Sequence, residues 1–240
     1  MNAYEFVFPV IEGNLVEDSN AKGVNVKHVI GTCFSIGNGF FLTAAHVVPS
    51  ALDCGWIGYP VDKVWQMFNL KGSEINEDVD IAVIQADIPN HQVFKWQFQS
   101  FGMWESARTI GFPYALDLQH ANLNIRGFSG HIVSELSFYG LKAEPRVYEL
   151  SFQAPRGLSG APLLIHGGTV GGVVVGNKST EMQIFSDREI LADGKQEKIV
   201  ERYEALQLGI ALTSPAIIDL DFKILGGTLR NYLMNIKLAG

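Results

Sequence analysis

Cysteine is almost missing from this 240-residue chain: Cys33 and Cys54 are the only two, and neither belongs to a Cys-x-x-Cys pair. That scarcity excludes a disulfide framework and a thiolate zinc site, and leaves both residues as expected buried thiols in a reducing compartment. Clusters of positive charge are missing too. With 18 basic residues against 25 acidic ones and a formal net charge of −7, the chain carries no phosphate-tracking stripe, which excludes nucleic acid as a partner. No run approaches the ~18 apolar residues of a membrane span. The first basic residue is Lys22, and "VFPVI" at 7–11 is too short and too interrupted by Pro9 to be a signal-peptide core, so a cytoplasmic protein away from membranes is expected. There is no H-E-x-x-H, no Gly-rich phosphate loop and no heptad repeat, and no metal or organic cofactor is implied.

What is present is ordinary globular material, 47% hydrophobic and 18% charged, enough for a sizeable core in one large unit. From Val24 to Leu212 the apolar residues come in short stretches separated by Gly, Asn, Asp and Pro, such as "DIAVIQA", "ARTIGFP", "GHIVSELSF" and "LQLGIALTS". That rhythm predicts an all-β sandwich or barrel. "FSIGNGFFL" reads as a hairpin turning at Asn38 and Gly39, and "LLIHGGTVGGVVV" as another turning at Gly167 and Gly168. A helix is expected only at 228–238, where Thr228 can cap it and Leu229, Tyr232, Leu233 and Ile236 share one face. Residues 177–204 are far more polar than their flanks and read as a solvated surface excursion, with a gate over the site as the competing assignment.

Two serines sit in a Gly-x-Ser-Gly setting: Ser129 in "GFSGH" and Ser159 in "GLSGAPLL". Either could be an idle turn. A serine hydroxyl becomes a nucleophile only beside a base, and that base needs a third group to fix its tautomer. "FFLTAAHVV" supplies His46 after two small alanines at a strand end, and "EDVDIAVIQ" supplies Asp80 as the last acid before a buried run. Taken singly, His46 reads as a structural histidine and Asp80 as a strand-start residue. The remaining histidines, 28, 91, 120, 131 and 166, have no comparable setting.

In order and spacing, "GTCFSIGNGFFLTAAHVV", "DVDIAVIQ", "GFP" and "GLSGAPLL…VGGVVVG" resemble the histidine, aspartate, inter-barrel and serine motifs of chymotrypsin-like serine proteases. The bacterial trypsin-like, high-temperature-requirement type is the nearest flavour, and the match runs from about Val29 to Leu212. An α/β-hydrolase has its acid and His after the nucleophile and a Gly-x-Ser-x-Gly elbow, where this chain has Ala161. The resemblance implies a single peptidase domain of two six-stranded antiparallel β-barrels, about 1–100 and about 105–215, with the site in the cleft between them. It implies catalysis by His46, Asp80 and Ser159, and an oxyanion hole built from the N–H groups of Gly157 and Ser159. Ser129, lacking a proline-led strand behind it, is left structural.

The resemblance also implies a substrate pocket with Gln153 and Ala154 at its base and Val174, Val175 and Gly176 along one wall. Gln153 is neutral there, so apolar residues of small to medium size are the expected preference. Leu158 stands where digestive members carry an aspartate that pairs with a newly cut N-terminus, so that mode of activation is not expected. The 28 residues after Leu212 are too few for a PDZ module. Polypeptide is the implied substrate, with a regulatory protein as a further partner. The reading from another class is a catalytically silent protease fold that binds a peptide or partner.

Overall fold

The computed structural model describes residues 2–18, 21–61, 64–89, 91–114, 116–117, 122–190 and 197–236. Strands β1 (Val7–Asp18), β2 (Ala21–Gly37), β3 (Phe40–Thr43), β4 (Gly55–Val61), β5 (Val64–Asn69), β6 (Gly72–Asn76) and β7 (Ile81–Gln85) form one antiparallel sheet in the order β5-β4-β1-β2-β3-β7-β6. After β8 (Ser106–Gly111), the short β9 (Leu116–Asp117) and β10 (Asn122–Leu123) pair with each other. Then β11 (Arg126–Ser137), β12 (Arg146–Leu150), β13 (Pro162–Ile165), β14 (Thr169–Ile190) and β15 (Glu197–Thr213) close a barrel with β8, in the order β11-β12-β15-β14-β13-β8.

The protein is therefore all-β in two bodies, a chymotrypsin-like arrangement with a C-terminal helix. The first body counts seven strands against the six expected, because the stretch between His46 and Asp80 contributes three. Two of these, β5 and β6, lie at the sheet's opposite edges and have no fully buried residue. Edge strands need no apolar run, so their sequence signal is weak.

Side-chain alternation explains why the barrel closes where it does. In β8, Ala107, Thr109 and Gly111 are buried while Ser106 and Arg108 are exposed, the period of two that puts one face inward. Ala107, Ile132, Tyr148, Leu150, Leu163, Val174 and Ala211 fill the barrel, and Leu158, next to the candidate nucleophile, belongs to the same cluster. At the first predicted hairpin, Gly37 pairs with Phe40 across Asn38 and Gly39, whose φ values are 52° and 78°. Two positive φ values in a two-residue loop are what the twist of the flanking strands selects. In the second hairpin Ile165 pairs with Thr169, so His166 joins Gly167 and Gly168 in the turn.

The expected C-terminal helix is α2 (Leu229–Asn235), following α1 (Ser214–Ile217); positions 237 and 238 of the expected span lie outside the described residues. Thr228 caps it, its hydroxyl accepting from the Asn231 N–H at 3.2 Å. Leu229 and Leu233 are buried, and Tyr232 donates its hydroxyl to the Gly37 carbonyl at 2.8 Å while its ring meets Phe40 edge-on. The chain end thus docks on the β2–β3 hairpin. None of the described helices is long and apolar enough to cross a membrane.

Two expectations need correction. Cys33 is buried, and burial pushes its thiol pKa well up, but Cys54 is half-exposed; its pKa is raised too, by desolvation and then by the neighbouring Asp53. Residues 177–204 are no loop in their described part. There β14 and β15 run on from the barrel as a two-stranded antiparallel ribbon, paired from Asn177↔Gly209 out to Ile190↔Glu197. At 3.3–3.4 Å per residue it projects roughly 40–45 Å. Ile184, Phe185, Tyr203 and Leu206 are exposed along it, and Phe185 is covered by its cross-strand partner Arg202, whose guanidinium lies 5.7 Å from the ring centroid. At its root Lys178 donates to Glu149 of β12 at 2.8 Å.

Because so little of the ribbon is buried against the body, the barrel should not depend on it. Replacing residues 180–206 by Asn-Gly is expected to move Tm by less than about 4 °C, the shift that ~1 kcal/mol produces in a domain of this size. Thermal unfolding of the two proteins checks this.

Candidate active site

Each of the three candidate catalytic residues stands at the end of a strand. β3 stops at Thr43, and the next turn, Ala45–Val47, is 3-10; Val47 is buried, so His46 faces outward with its side chain half-exposed. Asp80 immediately precedes β7 with a φ of 60°, in a turn where Asn76 Oδ1 accepts from the Val79 N–H at 3.2 Å. That turn directs the carboxylate at the histidine. His46 Nδ1 lies 2.8 Å from Asp80 Oδ2 and 2.9 Å from Oδ1, and the His46 backbone N–H also donates to Oδ1 at 3.1 Å. With both carboxylate oxygens on Nδ1, that nitrogen carries the proton and Nε2 is left as the acceptor. Asp78, two residues earlier, faces away and pairs with Lys142 at 3.0 Å.

Ser159 comes from the closed barrel, in the turn that leads into β13. The turn is braced by Leu158 N–H to the Pro155 carbonyl at 2.9 Å, Ala161 N–H to the Leu158 carbonyl at 3.0 Å, and Gly160 N–H to the Val174 carbonyl at 2.7 Å. Its two glycines have separate causes. Gly157 has φ +95°, and a Cβ there would lie 2.6 Å from the Phe112 carbonyl oxygen; Gly160 has φ +84°, and its Cβ would fall 2.0 Å from the Thr32 carbonyl oxygen. Both the left-handed backbone and the contact with neighbouring main chain demand glycine. The N–H groups of Gly157 and Ser159 have no acceptor among the described residues, so two donors stand free beside the serine.

The serine itself is engaged elsewhere. Its Oγ donates to the Val175 carbonyl at 3.2 Å, and no hydrogen bond joins it to His46 among the described residues. Of the expected pocket residues, Ala154, Val174 and Val175 are buried and Gly176 is half-buried. Gln153 is exposed. The side chain of Asn177, which carried no signal in the sequence, ties these segments together: its Nδ2 donates to the Ala154 carbonyl at 2.7 Å and its Oδ1 accepts from the Ala154 N–H at 2.6 Å.

Thr32, in the middle of β2, was also missed, and it holds the two bodies together beneath the serine. Its N–H donates to the Ser159 carbonyl at 2.8 Å and its hydroxyl to the Gly157 carbonyl at 2.7 Å. The same hydroxyl accepts from Phe112 N–H at 3.0 Å, and its carbonyl accepts from the Thr43 hydroxyl at 2.7 Å. The decoy Ser129, by contrast, lies within β11, paired with Arg108 of β8. His28 pairs with Glu12, His91 with the Ile88 carbonyl and His166 with Glu105; His120 lies outside the described residues.

No protein-family model matches the sequence, and no curated protein matches it either. Solved structures do match in shape. The Rv3671c protease from M. tuberculosis, in its active form, is 17% identical with a TM-score of 0.57, over 89% of this chain and 78% of that one. The HtrA-type protease AlgW with a decapeptide is 15% identical with a TM-score of 0.59, over 88% of this chain and 61% of that one. The MamO protease domain from Magnetospirillum magneticum is 13% identical with a TM-score of 0.55, over 89% of this chain and 94% of that one. At such identities the likeness establishes the fold, that of trypsin-like and HtrA-type proteases.

The Thr32 hydroxyl serves two buried main-chain groups, so its loss is measurable without any activity assay. Thr32→Val is expected to destabilise the protein by about 1–3 kcal/mol, the cost of leaving a buried polar group unpaired, and Thr32→Ser to restore most of it. Urea unfolding midpoints of the three proteins check this; a valine variant as stable as wild type would contradict it.

Proposed function

We propose that this protein is a serine endopeptidase acting as a single peptidase domain, with halves of about 1–100 and about 105–215. The observation that carries the reading is the arrangement at the junction of the two bodies. From one side comes an imidazole oriented by a carboxylate on the first sheet, and from the other a serine turn bracketed by two positive-φ glycines, with two N–H donors that have no acceptor among the described residues. Gly160 is packed against the Thr32 carbonyl and Ala44, two residues before His46.

Ser159 Oγ attacks the scissile carbonyl while His46 Nε2 takes its proton. The N–H groups of Gly157 and Ser159 receive the oxyanion, a contribution of about 10²–10³ in rate for each donor. Asp80 keeps Nδ1 protonated and stabilises the imidazolium, which then gives its proton to the leaving amine; water reverses the sequence to release the acid. Substrate would enter as an extended strand against Val175 and Gly176, displacing Ser159 Oγ from the Val175 carbonyl and freeing it for His46. Such catalytic bonds commonly tighten only in the complex. Ala154, Val174 and Val175 favour a small to medium apolar side chain before the cut. The peptides bound to AlgW structures support a polypeptide substrate, and the two free cysteines support a reducing, cytoplasmic setting.

The second reading, a silent protease fold that binds a peptide, is favoured by one observation, the engagement of Ser159 Oγ with Val175. A fluorophosphonate probe distinguishes the two. Labelling of wild type that disappears in Ser159→Ala and His46→Ala is expected; an unlabelled, folded wild-type protein would favour the binding module. Asp80→Asn should lower kcat by about 10⁴ by favouring the wrong imidazole tautomer, whereas Asp78→Asn, which touches only the exposed Lys142, should stay near wild type on a peptide library.

A further inference from the structure

Ser159 is gripped from two directions. Val175 of β14 takes its hydroxyl, and Thr32 of β2 takes its carbonyl. The acyl half of a substrate is assigned to the β14 side. On the β2 side, residues His28, Val29 and Ile30 run up to Gly31, where a Cβ would lie 2.9 Å from the Ser159 carbonyl oxygen, and with Tyr114 and Arg156 they line a groove of about 380 Å³. The leaving half of a substrate that reaches Ser159 has this groove before it.

The groove is positive in a protein whose net charge is −7. Arg156 directly precedes Gly157, so its α-carbon stands ~3.8 Å from that of the residue supplying one oxyanion donor. Its backbone is fixed, because its carbonyl accepts from the Tyr114 N–H at 3.1 Å, while its side chain is exposed and bonded to no carboxylate among the described residues. A second guanidinium lies behind the wall: Arg126 donates to the carbonyls of Pro113 and Tyr114. The carboxylate bonded to the wall, Glu12, is already shared, with His28 Nε2 at 3.3 Å and Lys27 Nζ at 3.8 Å. That leaves Arg156, with no carboxylate partner among the described residues, as a fork of donors suited to a planar carboxylate.

We propose that the groove receives the leaving side of the substrate and that Arg156 selects a carboxylate within its first two residues, either an Asp or Glu side chain or a free chain end. This rests on the peptidase reading for the direction of the substrate. The test therefore measures binding and turnover separately.

A set of fluorescent decapeptides, each with one Glu stepped through an Ala/Val background, is compared with the matching Gln set for binding to Ser159→Ala protein. Both sets are made with free and with amidated C-termini. Glu is expected to bind about fivefold tighter than Gln at one or two adjacent positions in 0.1 M salt, and less than about twofold tighter at 1 M, where the screening length falls to ~3 Å. The preference is expected to vanish when Arg156→Gln is added. Should Glu and Gln peptides bind alike but free C-termini bind about fivefold tighter than amidated ones, the chain end is the carboxylate read; should Glu exceed Gln in amidated peptides, the side chain is. Equal binding of Glu and Gln peptides together with equal binding of free and amidated ones, no binding of any, or a preference that survives Arg156→Gln would overturn the proposal. Wild-type turnover of the same peptides addresses the peptidase reading alone: selective binding without turnover leaves the groove standing and removes the peptidase.

Discussion

Everything at the candidate site depends on one fully buried threonine. Thr32 commits its N–H and hydroxyl across the junction of the two bodies, N–H to the Ser159 carbonyl, hydroxyl to the Gly157 carbonyl and from the Phe112 N–H, while its carbonyl takes the Thr43 hydroxyl within the first sheet. A buried network of this kind is costly when incomplete and rigid when complete. Here it is complete. It sets the height of the serine turn above the first sheet, and it ties that turn to the strand that ends three residues before His46. Gly160 then follows from sterics, since the approach that these bonds impose leaves no room for a Cβ.

The parts legible in the sequence were those where chemistry or backbone geometry restricts residue type. His46 and Asp80, which the structure joins, could be paired in advance because an activated hydroxyl such as that assigned to Ser159 would need them, and Asn38–Gly39 because positive φ at two successive positions admits few residues. Thr228 and the Leu229–Leu233 spacing announced the last helix for the same kind of reason. Thr32 could not be found this way. Its partners lie 125 and 127 positions on in the chain, and a threonine in "GTCFS" looks like any strand residue. Asn177 was invisible for a similar reason: its two bonds to Ala154 span 23 positions.

The ribbon shows the opposite failure, a segment noticed but given the wrong form. Periodicity of two marks a strand when one face is buried and the other wet. Beyond Asn177 the described side chains of β14 and β15 are largely wet on both faces, so composition alone cannot separate a paired ribbon from an irregular excursion. Phe185 and Arg202, opposite each other, are the pair that holds its middle.

That ribbon shares a backbone with the site. β14 is unbroken from Thr169 to Ile190, so the strand offering the Val175 carbonyl to Ser159 is also one rail of an arm projecting roughly 40–45 Å into solvent. The register shift between Val174 and Gly176 falls at its base, where an irregular pairing twists more readily than a regular ladder. The carbonyl that holds Ser159 Oγ and the root of the ribbon are thus one stretch of main chain, so a twist of the ribbon at that irregular pairing is also a reorientation of the carbonyl.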